Sequence, residues 1–531
     1  MSFNEEIKKW NDLFSEDKLS KKYVKKNQNF DEEFINNFYQ DLRVSDNSIY
    51  GEYGIGYSKI NSVIVKKIVD IFIQILDKEN NNDYFAISSD GSVVCTNIIN
   101  NLMKINNKNI KFITFNNYEG FDKSFVLSSI KKINPLGAIH ISQSIFNPNI
   151  LNINLYDYQG IKINNEILVN IIQKIDKNLN DVSIATEENL SFFDNELLIK
   201  IFVDKMNKLF DSRVLTKKTK VAISNRSNGI TKVLTKLLGT QDFPYVVNNK
   251  IKNKTININC KKTISYKYIK KYFWKEILFA KLNKANLLIC FNAEGTQLFL
   301  FAIEKTKAIY IDPSLLSLIF LNSFFDDLYK NEKKLLDIFI ASNGSPHTNM
   351  VNLINKYKLH FKQITNNNFL QEEMLLLFWN DYNQYAFGKK INQEFSIYLF
   401  LLKILNIIDN YINQYGSINA LLNILTKMYG PNDYQNKYLI DISYELALAK
   451  IHKLFNMTFE FSDQKNKNYE NETILLEFNI SNEIDFLMKY NFIINQFIII
   501  LTHKHNTNIL KRGKKFWKIN SIIKYMQKKK V

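Results

Sequence analysis

Apolar and polar positions change period repeatedly along this chain. Val65, Ile68, Val69, Phe72 and Leu76 recur at helical steps and predict an amphipathic helix, and residues 84–88 follow as a short β-rich run. A helical stretch at 93–103, a run at 110–115, a helical stretch near 121–133 and a run at 138–141 continue the alternation. Strands and helices alternating at this spacing imply a parallel sheet with right-handed crossovers. Ligands of such sheets sit beyond the carboxyl ends of the strands. Ser88, Ser89 and Asp90 occupy one such end, and Ser142, Gln143 and Ser144 another.

The same grammar returns twice. Residues 220–224, a helical 230–238, and the runs 286–291 and 297–303 form a second α/β unit. A third runs from 337–341 through a helical 348–357 to 360–364. After a long helical region at 395–428, Gly430, Pro431 and Asn432 break the chain. Strand-like runs at 473–478 and 497–501 then predict a smaller α+β unit. The expected fold class is therefore α/β: three successive α/β domains with mixed, largely parallel sheets, and a smaller C-terminal α+β domain around a central cleft. The expected divisions are 1–205, 206–310, 311–435 and 436–531.

Composition narrows the class. Of 531 residues, 46 % are apolar, 14 % aromatic and 23 % charged, enough for each of three or four domains to bury a core. Six prolines and fifteen glycines exclude collagen-like segments and long Pro/Gly linkers. Cys95, Cys260 and Cys290 have neither disulfide-framework nor zinc spacing and point to a reducing, cytoplasmic setting. No apolar stretch reaches the ~20 residues of a membrane span, and residues 1–26 lack the core of a signal peptide. The net charge of +18 favours polyanions. Lysine, however, rises together with Asn, Ile, Phe and Tyr, as an AT-rich genome would produce, and most of it is scattered; nucleic acid is not the expected partner. The exception is 511–530, with nine basic residues and no acid, where Ile519, Ile522, Ile523 and Met526 keep helical spacing and predict a basic amphipathic helix.

Local patterns make the chain resemble the phosphohexomutase family of phosphoglucomutases and phosphomannomutases over nearly its whole length. Phe38, Tyr39, Gln40, Asp41 and Leu42 are similar to the FYxxL that ends the family's helical lead-in, and Gly54, Gly56 and Asn61 keep its GxGxxxMN, while Tyr50 stands where FGTAGLRG has arginine. The family's GGIxITASHNP, whose serine carries the transferred phosphate, resembles the stretch from Gly137 to Ser144. The ungapped register makes Ser144 the candidate phosphoserine and puts Asn154 at a family lysine; a register set by Asn147 and Pro148 puts Ile145 at the nucleophile instead.

The resemblance further implies a magnesium loop, DPDADR, at Asn292, Glu294 and Thr296, where one carboxylate of three remains. Hard Mg²⁺ favours carboxylate oxygens, so a weak or absent site is expected. The sugar loop GFEES corresponds to Asn380, Asp381 and Tyr382 after Phe378 and Trp379. TGFKWI corresponds to 365–370, with Asn368 for its lysine, and the DxR loop to Asp90, Gly91 and Ser92. The phosphate loop RPSGTEPK corresponds to a stretch containing Lys504, His505, Asn506 and Thr507, where a lysine point charge replaces the bidentate arginine. His503 and His505 have no third metal ligand in sight, and His347 has no acidic neighbour in sequence, so neither a metal pair nor a Ser/His hydrolase is expected.

Two functions follow from the resemblance. One is a pseudoenzyme, or a strongly diverged protein, that binds a phosphosugar or another protein. The other is an active mutase that moves a phosphoryl group between sugar 1- and 6-positions through Ser144, with Mg²⁺ at Glu294. Loss of charged members from several loops, with apolar pattern and glycines kept, favours the first, because each preorganised donor is worth about 10²–10³ in rate.

Overall fold

The helix expected around Val65 forms as Ser62–Ile75 and buries Val65, Ile68, Val69 and Phe72. Asn61 sets its start: the side-chain oxygen accepts from Ile64 N at 3.0 Å, and the amide donates to the carbonyls of Gly54 (2.9 Å) and Gly56 (3.3 Å). The computed structural model describes residues 3–14, 32–76, 84–103, 111–115, 119–177, 179, 190–209, 217–251, 263–330, 338–343, 346–363, 375–387, 397–455, 472–481, 484–491, 496–503 and 521–527.

The first sheet contains β1 (Arg43–Ser45), β2 (Ser48–Glu52), β3 (Tyr84–Ser89), β4 (Lys111–Phe115), β5 (Gly137–Gln143), β6 (Ile150–Asp157) and β7 (Leu190–Phe193), in the spatial order β1-β2-β6-β5-β3-β4-β7. β5, β3, β4 and β7 run parallel, whereas β6 and the β1–β2 hairpin are antiparallel additions. Asp46 and Asn47 turn that hairpin at φ 52° and 54°, the left-handed pair that a two-residue turn needs. Tyr50, compared above with an arginine, is thus a buried strand residue. Asn154 is likewise inside β6, where it accepts from Ser48 Oγ at 2.8 Å.

The second sheet runs β13-β12-β11-β8-β9, with β8 (Val221–Ser224), β9 (Tyr245–Asn248) and β11 (Leu287–Phe291) parallel, and β12 (Leu298–Ile303) and β13 (Ala308–Ile311) antiparallel. β10 (Thr263–Ser265), which lies between β9 and β11 in sequence, leaves this sheet altogether. The third runs β15-β14-β16-β17, with β14 (Phe339–Ser342), β15 (His360–Gln363) and β16 (Leu375–Trp379) parallel and β17 (Tyr385–Phe387) antiparallel. The long helical region is two helices, Ile397–Tyr415 and Ile418–Tyr429, because Gly416 takes φ +83° and Ser417 caps the second. The fourth sheet is antiparallel throughout: β18 (Tyr434–Ile440), β19 (Glu472–Ser481), β20 (Ile484–Asn491) and β21 (Gln496–His503), with β10 on its edge, in the order β10-β18-β21-β20-β19.

One apolar core crosses the first three sheets, through contacts such as Phe125 on Phe202 and Phe202 on Tyr398, with ring centroids 5.3 and 5.5 Å apart. A second core fills the outer face of the first sheet. The third joins β11 and β12 to Leu439, Leu487, Ile498 and Ile500 of the fourth sheet. Of the basic C-terminal segment, residues 521–527 are helical, and Ile522, Ile523 and Met526 are buried against the fourth sheet as their spacing predicts. Among the described residues no helix is long and apolar enough to cross a membrane.

Candidate functional site

The loops singled out in the sequence follow the carboxyl ends of β3, β5, β11 and β16, where a parallel α/β sheet presents ligands. Ser144 follows β5 and is buried at 8 % exposure. Its backbone N–H donates to Ile150 O at 2.8 Å, closing the turn into β6, and its Oγ accepts from Phe146 N at 3.3 Å. Asp90, after β3, anchors the same turn: Oδ2 accepts from Gln143 N and Oδ1 from Ser92 N, both at 2.8 Å. Burial pushes the Asp90 carboxyl up, against these hydrogen bonds. Close backbone approach holds this corner, since a Cβ on Gly120 would stand 2.0 Å from Asp90 O.

Asn292, Glu294 and Thr296 do come together after β11, all buried. Their donors and acceptors are already engaged. Asn292 Oδ1 accepts from Thr296 N and Gln297 N at 2.9 Å, and its amide donates to Thr296 Oγ1 at 3.0 Å. Glu294 Oε1 receives Lys123 Nζ and Ser142 Oγ, each at 2.7 Å, and Oε2 accepts from Thr296 Oγ1 at 3.3 Å. Burial alone would raise the Glu294 carboxyl; Lys123 first, and the hydrogen bonds from Lys123 and Ser142, outweigh it and hold the group below the usual carboxylate range. Nearby, His140 is fully buried with Nδ1 2.9 Å from Ser88 Oγ, and burial, then the Lys123 charge, push it down to about 3, so the ring is neutral.

These residues do not fit a magnesium ion. An octahedral Mg²⁺ needs oxygen ligands with charge to spare. Here the loop's one carboxylate is neutralised by an ammonium, the loop amide is spent on backbone N–H groups, the neighbouring Asp90 is spent on Gln143 N and Ser92 N, and the space bordered by Asp90, Ser144, Ile145, Asn292 and Glu294 is about 20 Å³, room for one water.

Asn380, Asp381 and Tyr382 follow β16 and are also brought to the centre. Asn380 Oδ1 accepts from Tyr382 N at 3.0 Å and Gln384 N at 3.1 Å, which folds the loop on itself. Asp381 Oδ2 accepts from Lys489 Nζ at 3.1 Å; burial opposes its charge, but Lys489 and then Lys437 hold the carboxyl below its usual range. The Tyr382 ring, 4 % exposed, is edge-on to Phe146 with centroids 4.7 Å apart. Lys437 Nζ lies 3.6 Å and Lys489 Nζ 5.2 Å from its centroid. Its carbonyl accepts from Gln297 Nε2 at 2.8 Å. Tyr382 therefore touches the Ser144 loop, the Glu294 loop and two strands of the fourth sheet.

Lys504, His505, Asn506 and Thr507, and the 365–370 loop, lie outside the described residues. Sequence reasoning missed Lys123, Lys437 and Lys489. The signal for the last was a lone lysine between Met488 and Tyr490 in an apolar run. It also found no acid near His347, whereas Asn432 joins that ring to Asp312: Asn432 Oδ1 accepts from His347 Nδ1 at 2.9 Å, and its amide donates to Asp312 Oδ2.

No protein-family model and no curated protein matches the chain by sequence. Solved structures do match in shape. A Thermus thermophilus protein assigned as a phosphomannomutase superposes with TM-score 0.63 at 9 % identity, covering 91 % of this chain and 99 % of its own. A phosphoglucomutase/phosphomannomutase family protein from Burkholderia thailandensis gives 0.60 at 12 %, covering 90 % and 97 %. Parafusin, a phosphoglucomutase from Paramecium in its open form, gives 0.59 at 12 %, covering 87 % and 92 %. The fold is that of the phosphohexomutases. The expected α/β architecture of three mixed sheets and a smaller α+β unit is thereby met.

Proposed function

We propose that this chain is a binding protein on a phosphohexomutase scaffold, one that no longer performs the mutase reaction. The observation that carries this reading is the Tyr382 joint. Phosphoryl transfer needs a cation at the transferring group, an activated nucleophile and room for both ends of a sugar bisphosphate. In this chain an aromatic ring and two lysine side chains fill the meeting point of the loops, Lys123 is spent on Glu294, and Ser144 borders a space for one water. Such a centre suits a scaffold that holds its four units together and binds a small molecule or protein elsewhere.

The test is a coupled mutase assay on the purified full chain with glucose 1-phosphate and mannose 1-phosphate, magnesium and a bisphosphate primer, beside Ser144→Ala. Intact-mass analysis for phosphate on Ser144 accompanies it. We expect no turnover and no phosphoserine. Turnover that disappears in Ser144→Ala would overturn the reading and establish the ungapped register.

A further inference from the structure

A cavity of about 470 Å³ opens between the second, third and fourth sheets, bordered by Asn380, Asp381 and Asn383 but not by Ser144. Its size is that of a small-molecule site. The walls are largely apolar, with Ile264, Leu425, Leu487 and Ile500 beside the rings of Tyr310 and Trp379. Three carboxylates border it, Asp312, Asp381 and Asp433, against one lysine, Lys437.

Two helix N-termini reach this cavity, those of Pro313–Lys330 and Thr348–Tyr357, and helix N-termini ordinarily favour anions. Here the protein supplies the anions itself. Asp312 Oδ1 accepts from Leu315 N at 2.9 Å, and Asp433 Oδ2 accepts from Thr348 N at 2.7 Å and Thr348 Oγ1 at 2.9 Å. A phosphate arriving here would find Leu315 N and Thr348 N taken and carboxylates beside them.

What the cavity offers instead is acceptors. Asn432 Oδ1 can only accept, so the His347 nitrogen it meets, Nδ1, carries a proton, and Nε2 is the ring atom left to meet a ligand, as an acceptor in the Nδ1–H tautomer. Asp433 Oδ1, Asn349 Oδ1 and Asp381 Oδ1, on residues bordering the same space, are buried without a hydrogen-bond partner among the described residues. Oxygen atoms so placed gain most from donors.

We propose that this cavity binds a small, non-anionic molecule rich in hydrogen-bond donors, a polyol or an amine with an apolar body, and that His347 and Asp433 read its donors. The inference shares Asp381 and Lys437 with the Tyr382 joint but uses neither Ser144 nor Glu294, so ligand binding here and turnover at Ser144 are separate readouts.

Ligand-observed NMR on the full chain tests it with two matched pairs: phenyl β-D-glucoside against its 6-phosphate, and tyramine against 4-hydroxyphenylacetate. The uncharged or cationic member of at least one pair is expected to bind at least about tenfold more tightly than its anionic partner, and His347→Gln to weaken it about tenfold, the equivalent of one hydrogen bond. Thr426→Trp, on an exposed helix position at the cavity's edge, is expected to abolish binding. Leu422→Trp serves the same purpose if circular dichroism shows that Thr426→Trp does not fold. Binding of the anionic members equally or better, binding by no member, or binding that survives a folded blocking variant would overturn the proposal.

Discussion

Lys123 and Glu294 show how a single side chain alters the chemistry of a loop. Two charges at 8 % and 5 % side-chain exposure are costly to bury, and each is tolerable because the other is there. Lys123→Met is expected to cost about 3–5 kcal/mol, because it strands a buried carboxylate. Adding Glu294→Gln to it should recover a large part of that loss, and magnesium should recover none. Urea unfolding of the two variants measures both effects, and equal stabilities would show that the stranded carboxylate is not what makes losing the lysine costly. His140 gives the matching pH prediction. Unfolded, it titrates near 6.5; folded, near about 3. Between those values the unfolded chain holds a proton that the folded chain does not, so stability falls as pH falls, by about 1.4 kcal/mol per pH unit. His140→Gln should flatten the unfolding free energy between about pH 6.5 and about pH 5, above the range where carboxylates titrate. The other histidines are common to both proteins and cancel, so identical slopes would show that His140 does not stay neutral.

At the scale of elements, Asn61 does two tasks with one side chain, capping the Ser62–Ile75 helix and tying down the Gly54 and Gly56 carbonyls. Asn61→Ala should cost about 2 kcal/mol, while Asn61→Asp, which keeps the cap oxygen, should cost less; thermal unfolding ranks them. This helix was readable in the sequence because Val65, Ile68, Val69 and Phe72 repeat at its period. So were β3, β5, β11 and β14, apolar runs between helical patterns. β18 and β20 were not, because Lys437 and Lys489 interrupt their apolar pattern and a lysine in a strand reads as surface until its neighbours are known. The Glu294 and Tyr382 loops follow β11 and β16, the strand ends at which their motifs were sought. Their chemistry depends on charges contributed by Lys123, Lys437 and Lys489, far away in the chain, and no local pattern carries that information. The break at Gly416 was visible only as a single glycine in a long apolar region.

For the whole molecule, the question is what keeps the antiparallel fourth sheet seated on the other three. Two connections bear on it: β10, which joins its edge through Ile264 paired with Lys437, and the Tyr382 ring, which sits over Lys437 and Lys489 while touching Phe146. Both meet β18, so loosening one should transmit to the other through that strand. Tyr382→Ala removes the ring from a desolvated junction and should cost about 3–5 kcal/mol; Tyr382→Phe keeps the ring and should cost no more than about 1–2 kcal/mol. The distinguishing readout is where the loss appears. If the ring is the joint between units, amide hydrogen exchange in Tyr382→Ala should accelerate along Tyr434–Ile440 and Ile484–Asn491 more than in β3 or β5, whose cores it does not touch. Faster exchange confined to residues 379–384, with the fourth sheet as protected as before, would make Tyr382 a local packing residue and leave β10 and the apolar contacts of Leu439, Leu487, Ile498 and Ile500 as what holds the sheet in place.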